Sequence, residues 1–232
     1  MKFTQTIEPP VEKPLIIAAL QDMGNIGNIV IDFINKSKKS TPFRTAESSQ
    51  LSYVLDKGGY IEIPKEVWEY RYAKDIIIFG GGFGQPKTNE DLHALCQDVI
   101  GVAKKYSAKF IYTLGGFHTE HIITGDPHTY VTTTSQGLTA QLEKLNVNIT
   151  PSKSVITGFN GLILGYAKIN DIHGIGLYGE LNEPSIPQYR TAKNVIKTLE
   201  KLTYQSFGDT YELDVMADSI EKKLKTDWGM DF

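Results

Sequence analysis

The sequence predicts an α/β fold, a three-layer αβα arrangement with a mostly parallel sheet. Short uninterrupted apolar runs, such as LIIAAL at 15–20 and IIIF at 76–79, are typical of strands covered on both faces. Helical patterns with one apolar face follow most of these runs. A length of 232 residues suits one such domain. We expect it to span residues 14–225, between an N-terminal tail at 1–13 and a C-terminal tail at 226–232.

In the first half, the proline-containing tail leads into the strand at 15–20. The next helix has one apolar face, formed by Ile26, Ile29, Val30, Phe33 and Ile34. SYVLDKGGYIEI at 52–63 predicts a β-hairpin, because glycine in DKGG takes the positive φ that a tight turn needs. IIIF predicts the next strand, and Asn89 is predicted to cap the helix after it. The apolar face of that helix holds Leu92, Leu95, Cys96, Val99 and Ala103.

In the second half, FIYTL at 110–114 predicts a third buried strand, and 129–133 predicts a short one. SVIT at 154–157 and GIGLYGE at 174–180 predict two more. The helix after the short strand carries Leu138, Leu142 and Leu145. Two helices close the chain, with buried faces formed by Ala192, Val195, Ile196 and Leu199 and then by Leu213, Met216, Ala217, Ile220 and Leu224.

Three of the predicted strands run directly into glycine, at Gly80–Gln85, Gly115–His121 and Gly158–Gly161. The carboxyl ends of parallel strands share one edge of a sheet, so we expect these segments to lie near one another. Glycine there would let a ligand approach the backbone, or it would only make tight strand exits. We favour the second interpretation, because isolated glycine patterns often match by chance. The candidate cleft rim comprises Gly24, Gly27, Gly80, Gly81, Gly82, His118, Glu120, Asn160 and Glu180.

No motif in the sequence completes a known catalytic or phosphate-binding pattern. GGGFGQPK has Pro86 before Lys87, where a Walker loop needs glycine, and DMGNIGN at 22–28 offers only G-x-x-G. The histidines of FHTEHIITGDPH are possible metal ligands, but their spacing matches no zinc signature. Glu120 and Glu180 are a possible carboxylate pair for acid–base chemistry. Cys96 lies on an apolar helix face, where packing is its expected role. We therefore expect no catalytic residue, no metal and no cofactor.

Composition disfavours several classes of partner. The net charge is −3, and arginine, the preferred reader of phosphate and guanine, occurs only at Arg44, Arg71 and Arg190. We expect no nucleic-acid partner. No apolar stretch approaches the roughly 20 residues of a membrane span, so we expect no membrane association. The single cysteine and the polar N-terminus without an apolar signal segment predict a cytoplasmic protein.

Six ordered segments resemble the proteasome assembly chaperone 2 family, particularly its single-chain archaeal members. They are GNIGNIVIDFI, IIIFGGGFGQP, YTLGGF, VITGFNGLILGYA, GIGLYGE and the Pro187–Leu199 pattern P-x-x-x-x-A-K-x-V-I-x-x-L. The resemblance extends from about Leu15 to Leu224, and the order and spacing of the segments make it specific.

The resemblance implies a sheet core similar to that of nucleoside phosphorylases and assembly into homo-oligomers. It also implies a non-catalytic role, binding proteasome α-subunits or α-rings during assembly. Some members dock through a C-terminal hydrophobic–tyrosine–any tripeptide. Here Met230-Asp231-Phe232 has aspartate in the tyrosine position, which puts that docking mode in doubt. Trp228, Met230 and Phe232 remain candidate partner contacts, with folding back on the protein itself as the alternative.

A second function is compatible with the same fold. In it, the crevice at the strand ends acts as an enzyme site on a small phosphate- or carboxylate-bearing substrate. This hypothesis predicts that Arg44 or Arg190 converges with the glycine segments on a concave site.

Overall fold

The computed structural model describes residues 1–50, 53–82, 84–151 and 153–228. Within them the strands are β1 (Lys2–Gln5), β2 (Leu15–Ala18), β3 (Thr41–Glu47), β4 (Leu55–Asp56), β5 (Ile61–Glu62), β6 (Val67–Ala73), β7 (Ile76–Gly80), β8 (Phe110–His118), β9 (Thr129–Thr133), β10 (Asn148–Ile149) and β11 (His173–Leu181). The α-helices are α1 (Ile26–Ser37), α2 (Asn89–Lys105), α3 (Gln136–Glu143), α4 (Gly158–Ile169), α5 (Tyr189–Thr203) and α6 (Tyr211–Trp228). A 3-10 turn, Met23–Asn25, precedes α1.

A large mixed sheet forms the centre of the fold, in the order β1-β3-β6-β7-β2-β8-β11-β9-β10. Its central strands β7, β2, β8 and β11 pair in parallel. The flanking strands join this centre in antiparallel fashion, β6 to β7 on one side and β9 to β11 on the other. The chain leaves β2 towards β7 and later returns to β8, so the direction of winding reverses between β2 and β8. Crevices in α/β proteins form at such a reversal.

Helices cover both faces of the sheet and enclose two apolar cores. Alternate residues of β2 show the division, because Ile17 packs with α1, α5 and α6 whereas Ile16 and Ala18 pack with α2 and α4. The predicted three-layer αβα fold with a mostly parallel central sheet is confirmed. Among the described residues, no helix combines the length and apolar character needed to cross a membrane.

Most predicted elements are found where the apolar pattern placed them. All five predicted core positions of α1 are buried. The hairpin at 52–63 is confirmed by the antiparallel pairing of β4 with β5. Its turn is held by the Asp56 carboxylate, which accepts hydrogen bonds from the amides of Gly58 and Gly59 at 2.9 Å each. Burial raises the pKa of the Cys96 thiol to about 12, which agrees with its expected role in packing.

Four strands were missing from the sequence analysis, and one of them, β10, is only two residues long. The segment 1–13, expected to be a tail, contains the edge strand β1, whose four residues are too few to show a clear alternation. The strand β3 was missed because a bulge between Pro42 and Arg44 interrupts its alternation. The strand β6 carried a usable signal, since Trp68 and Tyr70 are buried while the charged residues between and after them are not.

Other predictions were wrong in detail. The cap of α2 is Thr88, whose hydroxyl accepts from the Asp91 amide at 3.2 Å, and Asn89 is the first helical residue. Residues 154–157 form no strand, because their apolar run is only two residues long. Gly158–Gly161 therefore begins α4 instead of ending a strand. Met216 was expected in the core, but it is 45% exposed on α6.

Two glycines of α4 provide a matched test of this packing. An added methyl group at Gly161 would lie 2.4 Å from the Ile156 carbonyl oxygen, whereas one at exposed Gly165 would meet nothing within 4 Å. We expect Gly165→Ala to raise the free energy of unfolding by about 0.5–1 kcal/mol, since alanine favours helix. We expect Gly161→Ala to lower it by about 1–3 kcal/mol through overpacking. Urea denaturation of both variants measures the difference, and equal effects would contradict the described contact.

Candidate functional site

A cleft opens at the carboxyl edge of the sheet where the winding reverses between β2 and β8. Its volume is about 530 Å³, within the usual range for small-ligand pockets, roughly 300–1,000 Å³. The segment 154–157 and the first turn of α4 form the opposite wall. The residues that line it are Asp22, Met23, Gln85, Gly116, Phe117, His118, Thr150, Ser154, Val155, Ile156, Thr157, Gly158, Asn160 and Tyr178.

Asp22 holds the centre of this cleft. It lies in the short segment between β2 and α1, and its carboxylate contacts two other elements at the reversal point. One carboxylate oxygen accepts a hydrogen bond from the Gly27 amide in the first turn of α1 at 3.0 Å. The other accepts from the Gly116 amide of β8 at 2.5 Å. Asp22 therefore links the end of β2 to the helix after it and to the neighbouring parallel strand.

Burial raises the pKa of Asp22 from 3.8 to about 7, even though the two amide hydrogen bonds act in the opposite direction. No lysine or arginine stands among the described residues that line the cleft, and none of the ion pairs within the described part of the chain includes Asp22. The loss of water around an unpaired carboxylate is thus the dominant effect. A strongly perturbed group in a cleft is a recognised marker of a functional site.

Glycines at this edge make room for Asp22. A methyl group on Gly115 would lie 2.8 Å from an Asp22 carboxylate oxygen, and one on Gly27 would lie 2.6 Å from the Leu20 carbonyl oxygen. Gly115 and Gly116 do not end a strand, because β8 continues through them to His118. A small residue is needed here because the chain approaches itself closely, and not because it turns.

Other polar groups in the cleft are already hydrogen-bonded within the protein. The Asn160 side chain accepts from the Leu20 amide at 3.1 Å and donates to the Leu20 carbonyl at 3.2 Å. The Tyr178 hydroxyl donates to the Asn160 carbonyl at 3.0 Å. The Gln85 side-chain oxygen accepts from the Phe159 amide at 2.9 Å. These bonds tie α4 to β2 and β11, so the cleft is built as a rigid junction.

The arrangement does not suit a phosphate or carboxylate ligand. An anion at this place would bind the free amides at the start of α1, but the Asp22 carboxylate already occupies one of them and contributes its own negative charge. The arginines expected to converge here lie elsewhere. Arg44 pairs with Asp98, and Arg190 pairs with Glu221 and Asp218. The phosphorylase-like alternative is therefore not supported by the geometry.

The structure separates the predicted rim residues into several groups. His118 and Asn160 line the cleft, and Gly27 supports it through Asp22. Gly80, Gly81 and Gly82 instead border a different, polar cleft of about 490 Å³. That cleft is also lined by Asp32, Asn35, Lys65, Val67, Glu69 and Arg71.

Two further rim residues also lie away from the cleft. Gly24 is buried beneath the loop before α5, where its amide donates to the Pro184 carbonyl at 2.8 Å. Glu120 is exposed beyond the end of β8.

Glu180 is a separate buried carboxylate. It accepts from the His128 amide at 2.7 Å and lies 2.9 Å from the His128 ring nitrogen. The Tyr130 hydroxyl and the exposed His121 ring lie 3.3 Å and 3.7 Å from it. Glu120 is not among these partners, so the proposed carboxylate pair does not form. Among the described residues, no group of three His, Cys, Asp or Glu side chains is placed to hold a metal ion.

The predicted partner contacts near the C-terminus are only partly covered by the structure. Trp228 is the last residue of α6. Met230 and Phe232 lie outside the described residues.

The sequence analysis missed Asp22 and Tyr178, which are central to the cleft. A signal for Asp22 was available, because it is the acidic residue between the first buried strand and the glycines that open α1. Tyr178 gave no signal, since a tyrosine in the apolar run GIGLYGE is indistinguishable from a core residue. Burial, followed by the negative charge of Asp22, raises the pKa of the Tyr178 hydroxyl well above its ordinary value.

A second candidate surface is the hairpin of β4 and β5, residues 53–63, which we call the arm. Every residue of the arm is exposed. Six of them are large and apolar, namely Tyr53, Val54, Leu55, Tyr60, Ile61 and Ile63, with exposures between 36% and 65%. Exposed apolar side chains concentrated in one segment indicate an interaction surface.

Comparison with known proteins identifies a family. The family model of the PAC2 family matches residues 16–226. A relative from Methanocaldococcus jannaschii, the uncharacterized protein MJ1210, is 25% identical over 219 residues, covering 93% of this chain and 81% of that protein.

Solved structures with a similar fold include two from Pyrococcus furiosus. PbaB, described as an archaeal proteasome activator, superimposes with a TM-score of 0.83 at 23% identity, covering 97% of both chains. PbaA, described as an archaeal homolog of proteasome-assembly chaperone, has a TM-score of 0.78 at 21% identity, covering 97% of this chain and 96% of that one. These similarities support the described arrangement of the sheet and helices.

Asp22 makes the stability of the protein depend on pH in a defined direction. The folded protein holds the Asp22 proton up to about pH 7, whereas an unfolded chain releases it near the ordinary pKa of 3.8. The stabilising contribution is therefore complete below pH 3.8 and is lost as the pH rises to about 7. We expect the free energy of unfolding of the unsubstituted protein, minus that of Asp22→Asn, to fall by about 4 kcal/mol across this window.

Urea denaturation at several pH values measures this difference. Asp171→Asn is a suitable control, because Asp171 is exposed and has a positive φ that asparagine tolerates. If the difference in unfolding free energy between the unsubstituted protein and Asp22→Asn does not change with pH, the role assigned to the Asp22 carboxyl group is contradicted.

Proposed function

Because the chain belongs to the PAC2 family, we propose that it is a non-enzymatic protein-binding factor that binds proteasome α-subunits as a homo-oligomer in the cytoplasm. The descriptions of PbaB as a proteasome activator and of PbaA as a homolog of proteasome-assembly chaperone support this kind of partner. The hydrogen bonds of Asn160, Tyr178 and Gln85 within the protein support a role without catalysis, since these polar side chains of the cleft hold the fold together.

The main structural support for this proposal is the exposed hairpin that we call the arm. A two-stranded hairpin alone is only marginally stable in water, and it gains stability when it packs against another surface. No described residue between 53 and 63 is buried, so the arm does not pack on its own domain. A partner protein would supply the missing contact.

The two faces of the arm differ in character. Asp56 pairs across the hairpin with Ile61, and Leu55 pairs with Glu62. Because side chains alternate along a strand, Val54 and Ile63 share the face of Ile61. The opposite face carries an ion pair between Lys57 and Glu62 at 3.6 Å. The face of Val54, Ile61 and Ile63 includes Asp56, whose carboxylate is bound by the turn amides. The reverse face carries the ion pair together with Tyr53, Leu55 and Tyr60. We propose the face of Val54, Ile61 and Ile63 as the contact surface because it has no ion pair among the described residues.

A groove between α1 and α6 is the second surface available for association. Its volume is about 530 Å³, and Ile29 and Phe33 form its floor. Tyr211, Val215 and Met216 at its edge are 69%, 47% and 45% exposed. We propose that this groove contacts a second copy of the chain in the homo-oligomer. Its exposed apolar residues explain why Met216, predicted to be in the core, lies at the surface.

The arm is tested by substituting its apolar face. We expect Ile61→Ser with Ile63→Ser to weaken binding to purified proteasome α-subunits by roughly ten- to hundredfold, because two central apolar contacts are lost. Size-exclusion chromatography with light scattering detects the complex, and titration gives the dissociation constant. The matched control is Lys57→Ser with Glu62→Ser, which changes the opposite face of the same hairpin and should leave binding nearly unchanged.

Light scattering of each variant alone gives its oligomeric state, so loss of self-association is distinguished from loss of partner binding. Equal binding by both double variants would remove the arm from the proposal. No complex with the unsubstituted protein under any condition would overturn binding to α-subunits.

The C-terminal segment is a separate test. We propose that Trp228, Met230 and Phe232 contribute to the same partner contact, and that replacing all three with alanine weakens binding to α-subunits by roughly tenfold. The control replaces Lys225, Thr226 and Asp227 with alanine in the same segment. If the variant with alanine at positions 228, 230 and 232 binds as well as the unsubstituted protein, the C-terminal contact is excluded and the arm remains as the proposed binding surface.

A further inference from the structure

We propose that the cleft beside Asp22 binds a small organic cation, an ammonium group carried on a compact apolar body. This proposal concerns the cleft and is independent of proteasome binding. It rests on the charge, the acceptor capacity and the walls of the cleft described above.

The cleft contains one acidic group without a partner of opposite charge. The described hydrogen-bond partners of the Asp22 carboxylate are the backbone amides of Gly27 and Gly116, and neither carries a charge. The described residues that line the cleft include no lysine or arginine. A buried carboxylate in this situation is strongly stabilised by a cation. The cleft therefore favours a positive ligand and rejects a negative one.

Asp22 retains the capacity to bind a ligand. A carboxylate offers about four lone-pair sites, and the two amides use one on each oxygen. Its side chain also lines the open cleft. An ammonium group has three donors and can use the remaining sites without breaking the bonds that hold β2, α1 and β8 together.

The walls of the cleft suit an apolar body behind the charged group. Met23, Phe117, Val155 and Ile156 line it together with the ring of Tyr178. Phe117 and Tyr178 also place aromatic residues on the lining, and a cation that reaches the face of either ring within about 6 Å is attracted to it. A volume of about 530 Å³ accommodates a ligand the size of a substituted benzene ring with room for water.

Binding of a cation is linked to the proton on Asp22. Because burial raises the pKa of Asp22 to about 7, half of the molecules hold the proton at neutral pH. A cation binds the charged form, so its affinity should rise with pH up to about 7 and then level off. The other titratable groups on the lining are His118, exposed at the mouth, and Tyr178, whose raised pKa keeps it neutral in this range.

Three probes with the same ring test the sign of the ligand charge: benzylammonium, benzyl alcohol and benzoate. Amide nuclear magnetic resonance titrations at pH 8 should show benzylammonium shifting the amides of Gly27 and Gly116. Its dissociation constant should be at least tenfold lower than that of benzyl alcohol, and benzoate should not bind. In Asp22→Asn the preference for the ammonium over the alcohol should disappear.

The control variant is Asp32→Asn, because burial also raises the pKa of Asp32 but this residue is not part of the cleft lining. It should bind benzylammonium like the unsubstituted protein. If Asp22→Asn does not fold, the unsubstituted protein still tests the proposal, since its affinity for benzylammonium should fall about fivefold between pH 7 and pH 6. His118→Gln should keep this pH dependence.

Three results would overturn the proposal. They are equal binding of the alcohol and the ammonium, binding of benzoate at the Gly27 and Gly116 amides, and pH-independent affinity for benzylammonium. Shifts confined to other amides would show that the cation binds elsewhere and would also overturn it.

Discussion

The contact between the Asp22 carboxylate and the amides of Gly27 and Gly116 is the constraint on which the carboxyl edge of the sheet depends. Parallel strands on either side of a winding reversal leave a gap there, because the connecting helices diverge to opposite faces. Asp22 spans that gap within the chain itself. The close approaches at Gly27 and Gly115 follow from this contact. The surrounding bonds of Asn160 and Tyr178 then fasten α4 to the same junction.

This junction explains how a fold that usually presents a ligand crevice can serve a different purpose. The donors that would bind a phosphate in a related arrangement are used to hold an internal carboxylate. Contacts with other proteins are proposed for two other surfaces, the arm and the groove between α1 and α6. The two solved Pyrococcus furiosus structures are only 23% and 21% identical to this chain, so the same arrangement of sheet and helices is reached with mostly different side chains.

Much of the fold was predictable because its central strands are continuous apolar runs and its helices have one apolar face. The positions of β2, β7, β8 and β11 followed from that pattern alone. The antiparallel flank was not predictable in full, since β1 is short and the bulge in β3 disrupts its period. The site was predicted only in part. Two predicted residues, Asn160 and His118, line the cleft. Asp22 and Tyr178 were not predicted, because their role depends on burial. A single sequence does not show which polar side chains are buried away from water.

The ends of the sheet carry a consequence for assembly. One edge is formed by β1, four residues long, and the other by β10, two residues long. A strand from another molecule that extended the sheet at either edge would gain few backbone hydrogen bonds, and short edge strands are a common protection against such continuation. Copies of this chain are therefore expected to meet through side chains, as discrete rings or pairs, and not as one sheet that grows from molecule to molecule.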